Sequence, residues 1–348
     1  MDSNLKSVMS FAENKVKPSS YKLYKQSLRK LLEIQKSSFA DLGENNTLPE
    51  LEESDYSINN ISSLINNFSD LKDKLTKKTN NKQVYENNTI KSYLSGLNFI
   101  KTSPQLEKIL KEDSLALLYE FFGIIKDKIK KASLDNKFSK KEEENWLSQE
   151  ELVSLEKLLK KEYKSNPNKD LLQKYILVIL YRGKIIRPLR NDYAGMTISN
   201  DIDSEGNYLF IDEEDHTSKY FILNDYKTQR HYGKKKYNIP KRSILNRLLT
   251  ELYSYLYSYR LEDGVNHLLE SPGIKKQLTS MTKNNLTKYL QNLFQKHLNK
   301  KVSSSMLRSI YISNLDFNKL TNKKLTKIAT DMNHSFTTQH EEYKKVES

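Results

Sequence analysis

The sequence predicts a mainly helical chain of two domains, the second carrying a small antiparallel β-sheet. Three observations lead there. Only 9 Gly and 7 Pro occur in 348 residues, too few breakers for a loop-rich or all-β chain. Apolar residues recur at helical spacing through most segments. Three short β-type runs, 208–211, 220–223 and 236–239, cluster in one region between polar turns. A chain of 348 residues favours two cores over one.

The first domain, 1–135, reads as a helical bundle. Ser19 to Leu32 places Tyr21, Tyr24, Leu28, Leu31 and Leu32 on one helical face, with Lys and Arg opposite. Gly43 to Glu53 is a polar, acidic loop. Ile58 to Leu75 is a second helix, with Ile61, Leu64, Ile65, Phe68 and Leu71 in period. Thr89 to Ile100 and Ser114 to Ile129 follow. Dense charge and little apolar content between Lys130 and Glu144 predict an interdomain linker, centred on 136–145.

The second domain, 146–348, opens with a capping box, Ser148-Gln-Glu-Glu151. There the Ser oxygen takes a free N–H and the Glu reaches back to the cap, so a helix follows to about Lys161. Leu171 to Tyr181 is apolar throughout and predicts a buried helix. The three strands come next. Beyond Pro240 helices return at Ile244 to Tyr259, Thr282 to Leu298, Ser304 to Leu315 and Lys323 to Met332. The tyrosines at 253, 255, 257 and 259 scatter around their helix, which predicts partial burial rather than a stacking ladder.

Lys and Arg number 58 against 44 Asp and Glu, a net charge of +14. Such a surface favours a polyanion, because neutralising phosphates releases condensed counterions. Absence of Cys excludes disulfides, thiol nucleophiles and Cys-based zinc sites. No run of about eighteen apolar residues is present, so no membrane span is expected. The charge alone is equally consistent with RNA, an acidic membrane surface or a basic protein from an AT-rich genome, and an intracellular location fits the lack of Cys.

The end of the chain holds the most specific pattern. It reads Ser303-Ser-Ser-Met-Leu-Arg308, then Ile328-Ala-Thr-Asp-Met-Asn-His334-Ser-Phe-Thr-Thr338, then Tyr343, nine residues after the His. In order and spacing this resembles the tyrosine recombinase (integrase) family, with its "H-x-L-R-H" helix, its "I-A-x-x-M-G-H-S-x-x-x-T" segment and its terminal Tyr. Asp225-Tyr-Lys227-Thr228 followed by Ile239-Pro240 resembles the family's β-hairpin lysine motif. Tyr181-Arg-Gly183 through Tyr193 occupies the place of its first arginine segment. The usual Arg position there is Ile185. The role passes to Arg190, as in a divergent branch of viral and mobile-element integrases, with Arg187 as the competing position.

The resemblance implies a helical core-binding domain followed by an α+β catalytic domain. It implies double-stranded DNA as partner, no metal or nucleotide cofactor, a homo-tetramer on DNA and a free protein that can be monomeric. Its site residues would be Arg190, Lys227, Ser305, Arg308, His334 and Tyr343. Two guanidiniums suit a phosphodiester under attack, because they hold fixed charge where negative charge develops. A Tyr phenol, with an ordinary pKa of about 10, needs that cationic pocket to become a nucleophile. Lys227 at a hairpin turn can protonate the leaving 5′-oxygen. Ser305 departs from the family, which has His there; a hydroxyl donates a hydrogen bond but supplies no cation. A type IB topoisomerase-like enzyme and an inactive DNA-binding protein of the same fold remain the alternatives.

Overall fold

A computed structural model describes residues 15–16, 18–38, 57–79, 82–134, 136–201, 204–212, 214–258, 266–272 and 278–345. The chain divides into two compact units, Met1–Asp135 and Asn136–Ser348. The polar loop expected at 43–53 lies outside the described residues.

The first unit is helical: α1 (Pro18–Lys36), α2 (Ile58–Asn66), α3 (Phe68–Thr76), α4 (Asn87–Ile100) and α5 (Glu112–Leu134), plus a two-residue ribbon, β1 (Lys78–Thr79) and β2 (Lys82–Gln83). Leu28, Leu31, Ile61, Leu64, Phe68, Leu71, Leu94 and Leu118 are fully buried in its core. Each such side chain contributes roughly 1.5–3 kcal/mol on burial. The single helix expected from Ile58 to Leu75 is two helices. The reason is Asn66, whose side chain accepts from the Lys111 N–H at 2.8 Å and donates to the Ile109 carbonyl at 3.2 Å. Its carbonyl takes the Ser114 hydroxyl at 2.9 Å. Those bonds hold the turn to the segment leading into α5, and Asn67 leaves helical geometry at φ −108°, ψ 35°.

The expected linker is largely structured. Helix α5 runs on to Leu134, and Lys140–Asn145 forms a short helix. Its capping box pairs Ser139 with Glu142: charge that reads as a solvated linker serves here as an N-cap.

The second unit begins with α6 (Gln149–Ser165), where the Glu151 N–H donates to Ser148 Oγ at 3.1 Å and the Ser148 N–H donates to Glu151 Oε2 at 2.8 Å. Helix α7 (Lys169–Arg182) is buried from Leu172 to Tyr181 apart from the half-buried Lys174, and ends on Gly183 in the left-handed region. A sheet follows, then α8 (Ile244–Ser258), a small ribbon of β7 (Glu270–Pro272) and β8 (Leu278–Ser280), α9 (Lys283–Leu298), α10 (Ser304–Ser313) and α11 (Asn322–Asp331). Tyr253 and Tyr255 are half-buried; the side chains at 257 and 259 lie outside the described residues.

The sheet differs from expectation. It has four strands in the order β3-β4-β5-β6: β3 (Thr197–Ser199), β4 (Tyr208–Ile211), β5 (Lys219–Leu223) and β6 (Lys235–Ile239). The last three pair antiparallel, but β3 runs parallel to β4, so the sheet is mixed. Three half-buried residues, Thr-Ile-Ser, are too few to show alternation, which is why β3 is silent in the sequence. Along β4 and β5 the faces alternate: Leu209, Ile211, Phe221 and Leu223 join the main core, while Tyr208, Phe210 and Ile222 pack on the other face.

Candidate active site

Helix α10 is buried almost all round, with Ser303 capping it through the Met306 N–H at 3.3 Å. Arg308 is therefore 0% exposed. A buried guanidinium must find acceptors, and it finds three. Nη1 donates to the Pro188 carbonyl at 3.0 Å, and Nη2 to the Met332 carbonyl at 2.9 Å and to His334 Nδ1 at 2.8 Å. None of these partners is anionic. Burial accordingly lowers the Arg308 pKa from its ordinary value, against the pull of the Tyr343 phenol.

His334 is set by the turn that ends α11. Asn333 takes φ +59°, a left-handed conformation that Asn tolerates and most side chains do not, and the His334 N–H bonds back to the Ala329 carbonyl at 3.1 Å. Burial, then the Arg308 charge, pushes the His334 pKa down to about 3. The ring is neutral, and its Nε2 is buried.

Tyr343 closes a π-helical turn, Gln339–Tyr343. Its ring stacks on His334, centroids 4.9 Å apart and planes 29° apart. Arg308 Cζ lies 4.9 Å from the same ring centre. Burial raises the phenol's pKa, but the charges of Arg308 and Arg190, and hydrogen bonds from both, outweigh it; the pKa falls below 10.0. The segment is anchored on both sides. Asn136 Nδ2 donates to the His340 carbonyl at 2.9 Å, the Lys345 N–H to Ser313 Oγ at 2.8 Å, and Lys345 Nζ pairs with Glu142 at 3.1 Å.

Of the two competing arginines, Arg190 reaches this pocket and Arg187 does not join it. Arg187 donates to the Gly183 carbonyl at 3.3 Å and lies 5.6 Å over the Tyr311 ring. Arg190 is half-buried, and its carbonyl accepts from Tyr181 Oη at 3.0 Å.

Lys227 is exposed in the turn between β5 and β6. That turn is tied to the His334 loop: Thr228 Oγ1 donates to the Asn333 carbonyl at 2.9 Å. From β6, Tyr237 Oη lies 3.0 Å from both the Asp331 carbonyl and Asn333 Oδ1. Tyr226 Oη closes the hairpin on the Gly233 carbonyl at 2.6 Å. Ser305 lies one turn before Arg308 on α10 and is exposed.

No model of a known protein family matches the chain, and no curated protein matches it. It is similar to a solved structure described as "Crystal structure of XerA recombinase", at 11% identity over 100% of this chain and 95% of that one, with a TM-score of 0.38.

Sequence reasoning missed several members of the pocket. One is Asp192, which adjoins the Arg190 segment in the sequence. It is 5% exposed, burial raises its pKa, and Lys283, Arg308 and Arg190 oppose that rise. Gln339 is 0% exposed, opens the turn that carries Tyr343, and sets its side chain against His334. Asn333 had a legible signal, since it stands where the resembling motif has Gly, the residue freest to adopt positive φ. Asp192 and Gln339 had none.

Proposed function

We propose that the chain is a DNA strand transferase of the tyrosine recombinase kind, which cuts and rejoins strands through a 3′-phosphotyrosyl intermediate. The observation that carries the reading is the position of Tyr343: stacked on a neutral His334, over Arg308, with its phenol drawn below its ordinary pKa by two guanidiniums. A phenol so held is closer to phenolate at neutral pH than a free Tyr. Tyr343 Oη gives up its proton to solvent and attacks phosphorus, which forms the phosphotyrosyl bond and breaks the bond to the 5′-oxygen. Lys227 supplies the proton that leaves with the 5′-hydroxyl. Arg190 and Arg308 hold charge against the non-bridging oxygens, and the His334 Nε2–H donates to one of them. A second strand's 5′-hydroxyl reverses the step. Two duplexes exchanged this way call for four protomers, and the divergent segment around Arg190 suits a viral or other mobile element.

The test uses a pool of nicked duplexes with randomised cleavage-site sequence. The wild-type protein is expected to form an SDS-resistant, protease-sensitive adduct whose DNA can be sequenced. Tyr343→Phe is expected to form none while binding the pool as well as wild type. Binding without any adduct would favour the inactive DNA-binding protein. Relaxation of supercoiled plasmid without recombinant products would favour the topoisomerase-like enzyme.

A further inference from the structure

A cleft of about 410 Å³ opens beside Asp331, at the end of α11, and none of Arg190, Arg308, His334 and Tyr343 lines it. Lys184, Arg187, Lys324 and Lys327 line it, with Asp331 and Tyr237. Four cations thus face one carboxylate, and among the described residues none of the four forms an ion pair with it or with any other acid. Like charges gathered at a concave surface repel one another, and the low-dielectric walls sharpen the field. An arrangement of that kind is relieved by an anion. Arg187 is also pre-positioned: the Gly183 carbonyl holds Nη1 at 3.3 Å, and the Tyr311 ring lies 5.6 Å beneath its Cζ. Helix α11 presents Lys324 and Lys327 on neighbouring turns, leaving the ammonium groups free to close on a ligand.

We propose that this cleft is a second phosphate-binding site, separate from the pocket of Arg190, Arg308 and Tyr343. Its ligand is a phosphoryl group, supplied either by the backbone of bound DNA or by a free nucleotide. The cleft exceeds the size of one phosphate, and its remaining walls, isoleucine side chains and the Tyr237 ring, suit the sugar and base attached to it. The DNA form of the proposal rests on the strand-transferase reading; the free-nucleotide form stands without it.

The experiment compares wild type, Lys324→Ala/Lys327→Ala and a control pair, Lys160→Ala/Lys161→Ala, which removes the same charge from α6. All three carry Tyr343→Phe, so no outcome depends on covalent chemistry. The first readout is the slope of log binding constant against log salt for a duplex. Each phosphate neutralised contributes about 0.9 to that slope, so the cleft pair is expected to lower it by about 1–2 and the control pair by less than about 0.5. The second readout is calorimetric titration with inorganic pyrophosphate and with thymidine 5′-monophosphate. A slope change confined to the cleft pair identifies backbone phosphate as the ligand. Pyrophosphate or nucleotide binding that the cleft pair weakens at least about tenfold identifies a free phosphoryl ligand. Equal slopes for both pairs together with no phosphate binding would overturn the proposal. So would binding of a poly-glutamate peptide but neither phosphate probe. If the wild-type background fails to bind duplex at all, the strand-transferase reading falls, and the calorimetric result alone decides the cleft.

Discussion

Arg308 Nη2 lies 2.8 Å from Nδ1 of His334. A guanidinium can only donate, so Nδ1 must be the acceptor and the ring proton sits on Nε2. That places the ring N–H in a buried pocket with the Tyr343 ring and the Gln339 side chain beside it. The same contact makes protonation of the ring costly. Its folded pKa is about 3, against about 6.5 for an unfolded His. Above pH ~6.5 both states are neutral and the contribution to stability is complete. As pH falls from there toward about 3, the unfolded state takes up a proton that the folded state refuses, and stability declines. His334→Gln keeps an acceptor for Arg308 and removes the titration. Urea melts of both proteins from pH 7 to pH 4 should show the wild type losing stability relative to the variant, with a limiting slope of about 1.4 kcal/mol per pH unit. Parallel curves would mean that the ring titrates normally.

The Tyr343 phenol shifts the opposite boundary. Its folded pKa lies below 10.0, so stability grows as pH rises through the folded value and levels off above the unfolded one. Tyr181, Tyr193 and Tyr237, in or beside the same pocket, are pushed upward by burial and stay neutral in that range. Difference absorbance near 295 nm between wild type and Tyr343→Phe should therefore report one phenolate appearing below pH ~10. Arg190→Met should move that step upward, and no step below the ordinary value would show that the guanidiniums do not reach the phenol.

Much of this pocket was legible because it is built from scarce or spaced residues. Arg308, His334 and Tyr343 announce themselves by order and interval, and α7 by an unbroken apolar run. What was illegible depends on contacts far along the chain. The break at Asn67 follows from Asn66 bonds to residues 109, 111 and 114. The parallel strand β3 has three residues and no alternation. Arg187 and Arg190 share one segment and one chemistry; only the path of the chain after Gly183 sends the first over Tyr311 and the second toward Tyr343. Gln339 looks like any polar residue near a chain end, yet it is fully buried.

Gly183 should tolerate no side chain. It caps α7 at φ +70°, and an added Cβ would stand 2.5 and 2.6 Å from two Tyr311 ring carbons and 2.8 Å from Pro188 Cδ. The left-handed conformation costs about 1–2 kcal/mol for an L-residue, and overpacking adds roughly 1–3 kcal/mol. Gly183→Ala should therefore lose about 2–5 kcal/mol in urea unfolding. Gly195 is the control: its φ is +71° but nothing lies within 4 Å of its added Cβ. Gly195→Ala should lose only the backbone share, and equal losses at the two sites would show that the Tyr311 contact is not rigid. Gly183→Ala should also slow covalent capture of DNA more than Gly195→Ala, because the strained turn leads directly into the segment bearing Arg190.

Asn333 joins three elements of the pocket, and its variants separate backbone from side chain. Its φ of +59° orients His334, its carbonyl accepts from Thr228 beside Lys227, and its Oδ1 accepts from Tyr237. Asn333→Gly keeps the conformation and loses one hydrogen bond, while Tyr237 retains the Asp331 carbonyl as acceptor. Its cost should be about 1 kcal/mol. Asn333→Ala loses the same bond and adds the left-handed penalty of about 1–2 kcal/mol, and Asn333→Val, β-branched, should be worse still. Stability should thus fall in the order Asn, Gly, Ala, Val. Covalent capture should follow the same order but more steeply from Gly to Ala, since a relaxed φ would swing the His334 ring away from Tyr343. An Ala variant as active as the Gly variant would mean that the ring's position does not depend on that turn, and that the bond from Thr228 alone keeps the lysine hairpin beside it.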